Sequence, residues 1–242
     1  MATSIEKAKE TKKSGGVGTA TKARVRVLLE SIVPCLQDRV DDDTIKGLLA
    51  GTSAKATKAA TKTQAQIADM KLYRGPSGEF GFPTRNVWAA LCQAGTGVRF
   101  DKRRNISSST GGTLLPQFLE IEGSEFLAFK THSPYKIDVG TGRMAATGGM
   151  VVCVRPRFDQ WSLELTVIID ERQIDLERVK TLIETAGFKG LGTYRPGKSK
   201  TGYYGRFRLA AFEVMERTEV EALDISHLAE DVEEETVEPS PN

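Results

Sequence analysis

The chain has 242 residues, 39% of them hydrophobic, and its 34 Lys and Arg nearly balance 32 Asp and Glu, for a formal net charge of +2. That length and apolar content exclude a wholly disordered or fibrous chain and allow a sizeable core. No stretch approaches the length of a membrane span, and Cys35, Cys92 and Cys153, odd in number and set among apolar neighbours, point to free thiols rather than a disulfide framework or a zinc site. The N-terminal segment has no apolar h-region, so a cytoplasmic chain without membrane contact, cofactor or metal is expected. The charge is uneven. Residues 216–242 hold ten acids and one base, which leaves 33 bases against 22 acids before them. A basic body with an acidic end fits a protein that meets a polyanion.

Residues 1–22 are mostly Lys, Thr, Ser, Gly and Ala and read as a disordered basic arm, ahead of a single domain over 23–215 and an acidic, disordered tail over 216–242. From Ala23 on, Val25, Val27, Leu29 and Val33 alternate with Arg24, Arg26 and Glu30, the period of a half-buried strand over 24–33. Residues 41–74 break that pattern with the acids Asp41–Asp43, a short helical stretch and an Ala, Lys, Thr and Gln segment, and read as an insertion. Lys55, Lys58 and Lys62 share a stripe there if a helix forms.

Residues 84–94 predict a helix with Thr84 as cap, Gly95 as stop, and Val87, Trp88, Leu91 and Ala94 inward. Arg85 and Asn86 fall in its first turn, where free amides favour an anion, and Arg99, Lys102, Arg103 and Arg104 follow. Residues 113–131 predict a hairpin broken at Gly123, and 122–149 a second insertion whose Gly- and Thr-rich part, Asp138–Gly149 with Arg143, reads as a loop or hairpin tip. Strands are expected at 150–154 and 163–169. A second helix follows, with Asp175 as cap, Ile174 and Val179 as staple, Leu182, Ile183 and Ala186 inward, and Gly187 as stop.

Residues 187–209 are glycine-rich, basic and free of acids. They carry Lys189, Arg195, Lys198, Lys200, Arg206 and Arg208, with Tyr194, Tyr203, Tyr204 and Phe207 interleaved. Phosphate is the natural counter-charge, and the rings suit base stacking. A flexible surface hairpin with solvated charges is the plainer reading. The final strand is expected over 204–214.

Taken in order, the strong elements read βαββαβ, which predicts an α+β, ferredoxin-like or RRM-like antiparallel sheet with two helices on one face and the other face free for a ligand. Two segments then resemble a family. Phe82-Pro83-Thr84-Arg85 ahead of Trp88-Ala89-Ala90-Leu91 is similar to the proline, small residue and short helix that open the RAMP-superfamily fold. Gly190-Leu191-Gly192 through Gly202-Tyr203-Tyr204-Gly205-Arg206-Phe207 looks like that family's glycine-rich loop before its last strand. The backbone subunits of CRISPR effector complexes belong to this superfamily. The resemblance implies a non-sequence-specific binder of single-stranded guide RNA, a homo-oligomer assembled head to tail, and other effector subunits as partners in an antiviral ribonucleoprotein. It carries over to Arg85, Lys198, Lys200, Arg206 and the tip residue Arg143. A stand-alone homologue from a phage or mobile element fits the same residues, as does a structural protein whose basic loop docks on another protein.

Enzymatic readings have weaker support. Gly192 to Ser199 spells the P-loop pattern, yet a helix enters it and a strand leaves, the reverse of what a P-loop needs. For a metal-dependent ribonuclease, Asp101 and Asp138 are the candidate carboxylates, and each also suits a turn. His132 reads as a turn residue, His227 lies in the acidic tail, and Trp88 and Trp161 read as core anchors.

Overall fold

The computed structural model describes residues 20–51, 62–123, 125–143, 148–199 and 201–220. In chain order the elements are β1 (Ala20–Ser31), β2 (Cys35–Leu36), α1 (Asp42–Leu49), α2 (Gln64–Met70), β3 (Gly81–Pro83), α3 (Thr84–Gly95), β4 (Leu119–Glu122), β5 (Phe126–His132), β6 (Lys136–Arg143), β7 (Met150–Phe158), β8 (Trp161–Asp170), α4 (Leu176–Lys189) and β9 (Phe207–Val220). The alternation of β1 buries Ala23, Val25, Val27 and Leu29 on one side, and β8 does the same with Leu163, Leu165, Val167 and Ile169. The two pair antiparallel with Val25 opposite Val167 and Val27 opposite Leu165. β9 pairs along the other edge of β1, and the sheet order is β3-β5-β8-β1-β9, with β4 also on β8. With the insertions set aside, β1, α3, β4/β5, β8, α4 and β9 give the ferredoxin-like arrangement. The apolar faces of α3 and α4 join β1 and β8 in one core.

Several local expectations are corrected by the packing. Residues 113–131 do not form a hairpin: β4 and β5 both lie against β8, Leu119 opposite Ile169 and Phe129 opposite Leu163. The ten residues of β8 offer an edge long enough for both, and each segment turns its apolar residues into the same core. Met150–Val154 leaves the main sheet. It belongs to β7, which pairs with β6 and β2 in a separate three-stranded sheet. Of Asp138–Gly149, expected as a loop or hairpin tip, the first part to Arg143 is a strand of the β6–β7 hairpin, because each residue from Lys136 to Arg143 finds a partner on β7.

The helix ends shift as well. Pro83 occupies the N-cap of α3 at φ −55 and ψ 137, delivering the chain from β3 straight into the helix, so Thr84 is the first helical residue rather than the cap. Ala90 joins the buried stripe while Trp88 is half-buried. Gly187 does not stop α4, which continues to Lys189 and ends at Gly190 with φ 74. Gly187 is instead a contact requirement, because a Cβ there would meet the Phe207 carbonyl oxygen at 2.2 Å. Asp41 caps α1 by accepting from the Thr44 amide at 2.9 Å. Lys62 precedes α2 rather than riding a basic helical stripe, and Lys55 and Lys58 lie outside the described residues. The main sheet also reaches further than expected at both ends, since Ala20 pairs with Val220.

The open face of that sheet, where an RRM-like reading expects a ligand, carries much of its charge in pairs. These are cross-strand ion pairs: Arg24 with Glu122 at 2.7 Å, Arg26 with Glu164 at 2.6 Å and Glu213 at 2.8 Å, Arg208 with Glu30 at 2.7 Å, and Lys130 with Glu164. Arg26 and then Lys130 hold the Glu164 carboxyl down to about 2. A depressed carboxylate pKa contributes stability that is complete above the unfolded value, near 4.5, and is lost as pH falls towards 2. Glu164→Gln is therefore expected to lower the Tm at pH 7 and to flatten its fall between pH 4.5 and 2, as measured by thermal melts across that range.

Candidate nucleic-acid interface

The glycine-rich segment after α4 is a stitched loop rather than a flexible hairpin. The Leu191 amide donates to the Gly205 carbonyl at 2.9 Å, the Gly205 amide to Pro34 at 2.8 Å, the Thr193 amide to Leu36 at 2.9 Å and the Tyr203 amide to Tyr194 at 2.9 Å. These bonds tie the loop to the β1–β2 connection and to itself. Tyr194 is held at φ 51, a left-handed conformation costly for a bulky ring, and its ring lies under the Arg155 guanidinium at 4.6 Å. Arg155 in turn is bound by Asp38 at 2.8 Å. The amides of Lys198 and Ser199 both donate to the Arg195 carbonyl, at 3.1 and 3.0 Å. They close a turn of the loop, so the P-loop letters do not form an amide cradle.

The loop lies across α3, where the Arg195 guanidinium reaches Gln93, and basic residues follow that helix from end to end. Arg85 is exposed at its start and lines a cleft with Arg74 and Glu125. Lys198 is exposed on the loop that crosses its middle. Past its C-terminus, Arg99, Arg103 and Arg104 line a depression of ≈ 660 Å³ together with Ser107, Ser108 and Ser109, and Lys102 is exposed on the same turn. That turn is shaped by Asp101, which accepts from the Arg103 and Arg104 amides at 2.7 and 2.8 Å and from the Arg104 side chain at 2.9 Å. Those three bonds lower the Asp101 pKa and make it a turn-former.

Among the described residues, Arg85, Arg99, Lys102, Arg103 and Lys198 have no ion-pair partner, whereas Arg104 is shared with Asp101 and Arg208 with Glu30. Tyr203 is 55% exposed, meets Tyr204 edge-on at 5.9 Å, and has the Arg206 guanidinium over its ring at 5.0 Å. Arg195 is the exception to the expected surface: it is 8% exposed, packed beneath the loop. Lys200 and the Arg143 side chain lie outside the described residues; the Arg143 backbone pairs with Met150 at the end of the β6–β7 hairpin. Phe188, beyond the helix stop that the sequence suggests at Gly187, is 66% exposed in the last turn of α4. His132 packs its ring against Phe80, Phe129 and Phe158, and Asp138 stands opposite Arg155 across β6 and β7.

Together these features define an α+β, ferredoxin-like protein with a run of unpaired cations along α3 and cross-strand ion pairs on its open sheet face. No family model matches the sequence, and no curated protein matches it. Among solved structures, a chain of the cryo-EM structure of the type III-B Cmr-beta bound to cognate target RNA is similar at a TM-score of 0.42 and 11% identity. The match covers 80% of this chain and 61% of that one. A likeness at that level leaves function to be read from this chain's own residues.

Proposed function

We propose that this chain binds single-stranded RNA through its phosphates, without reading sequence, as a repeating backbone subunit of the RAMP type, oligomerised along a guide RNA in a CRISPR-type effector complex. One observation carries the reading: among the described residues, Arg85, Arg99, Lys102, Arg103 and Lys198 have no ion-pair partner and lie along α3 and the glycine-rich loop, while Arg24, Arg26, Lys130 and Arg208 of the open sheet face are paired internally. Unpaired cations on a firm scaffold supply non-specific affinity for phosphate, and Tyr203 backed by Arg206 offers a face for a sugar or base.

The test is titration of the purified chain with labelled single-stranded and double-stranded RNA, followed by sizing of the complexes. The expected result is preference for the single strand, equal affinity for unrelated sequences, and complexes that grow by whole subunits as the strand lengthens. A chain that ignores single strands at low salt would overturn the reading and favour a protein-docking role for the loop.

A further inference from the structure

Beneath the glycine-rich loop is a cavity of ≈ 490 Å³, walled by β2's exit, the first turns of α3 and the loop itself. Arg195 lines it and is more than nine-tenths buried. Its guanidinium has only long contacts, 3.5 Å to the Gly192 carbonyl and 3.5 Å to Gln93 Oε1, and its buried Nε meets no acceptor. No carboxylate pairs with it among the described residues. A cation buried without a counter-charge is a large cost to folding, since it loses hydration and two long contacts return little of it. An anion is the chemistry that would offset that cost.

The rest of the cavity suits one. Lys198 brings a second positive charge, Ser199 a hydroxyl and Asn86 a side-chain amide, all lining the same space. Asp38 is the one acid on its walls, and it is already bound by Arg155 at 2.8 Å and Lys71 at 3.1 Å. Tyr73 and Tyr194 add ring surface, and the volume falls in the range of small-ligand sites. Main-chain bonds hold the walls in place, so the site is formed before any ligand arrives.

We propose that this cavity is a site for a nucleotide phosphate, held by Arg195 with Lys198 and Ser199, distinct from the exposed arginines that would track a strand. The group recognised is a phosphate monoester, carried by a free nucleotide or by the end of a strand. The inference stands without the strand-coating reading.

Thermal melts of the full chain test it, with inorganic phosphate, AMP, and short oligonucleotides bearing a 5′-phosphate, a 3′-phosphate or neither, at matched ionic strength. Phosphate at saturation is expected to raise the Tm by about 3–10 °C. Arg195→Met is expected to abolish that rise while leaving the unliganded Tm unchanged or higher, because an unpaired buried charge has been removed. Lys198→Met, at an exposed position that folding does not need, is expected to weaken the response several-fold. A response limited to phosphate and AMP assigns the site to free nucleotides, and protection by a phosphorylated oligonucleotide but not its unphosphorylated twin assigns it to strand ends. An Arg195→Met chain of lower unliganded stability, an unchanged response in Lys198→Met, or an equal rise from chloride would overturn the proposal. A chain that responds to phosphate but not to long RNA would keep this site and remove the strand-coating reading.

Discussion

Replacing Arg99 and Arg103 together by glutamine is expected to weaken single-stranded RNA binding about 25-fold at 0.1 M salt and about 10-fold at 0.2 M. The estimate follows from counterion release: each phosphate contact on a single strand contributes about 0.7 to the slope of log affinity against log salt, so two lost contacts remove about 1.4. Both arginines are exposed, line one depression and have no acidic partner among the described residues, so their charge is available to a phosphate. Arg208→Gln is the internal control. It removes one charge of the same type, but Glu30 already binds that guanidinium at 2.7 Å, and affinity should barely move. Filter binding or anisotropy against poly(U) and poly(A), over a salt series, checks the result. A control loss of about half the double variant's on a logarithmic scale would mean that net charge, rather than position, drives binding. A loss confined to one homopolymer would mean that bases are being read.

The same comparison shows where the sequence was legible. Charge type and the presence of glycines were visible at once, because the acid-free run over 187–209 needs no structure to be noticed. The order of elements was visible because β1, β8 and α4 each bury a clean periodic face. Pairing was not. Whether an arginine is free depends on carboxylates far along the chain, as with Arg208 and Glu30, 178 residues apart, and Arg26 and Glu164, 138 apart. The ion pairs of the open face were hidden for that reason. Hairpin partners were equally hidden, since β4 and β5 have the apolar content of a hairpin but find a better edge on β8. Arg195 is the sharpest case. Its place in a run of basic residues suggests a surface charge, and only the crossing of α3 by the loop puts it inside.

Gly205→Ala is expected to cost about 3–5 kcal/mol and to lower the Tm by about 10–15 °C, well beyond an ordinary surface change. Gly205 sits at φ 73, and a Cβ there would lie 1.8 Å from the Leu191 carbonyl oxygen and 2.8 Å from its carbon. Those are main-chain atoms, so relief requires moving the backbone. Moving it breaks the two bonds that close the loop at this residue, the Leu191 amide to the Gly205 carbonyl at 2.9 Å and the Gly205 amide to the Pro34 carbonyl at 2.8 Å. Gly111 separates this from the general cost of a left-handed residue: it has φ 106 with open space around its would-be Cβ, and Gly111→Ala should cost only about 1 kcal/mol. Because the loop roofs the Arg195 cavity and leads into β9, Gly205→Ala should lose the phosphate response and RNA binding together, even at temperatures where the sheet stays folded. Urea titration followed by far-UV circular dichroism, with both binding assays on the same preparation, reads all three quantities. Retention of full binding by a destabilised Gly205→Ala chain would mean that the loop's fixed shape does not hold the ligands, and that the exposed arginines beyond α3 suffice.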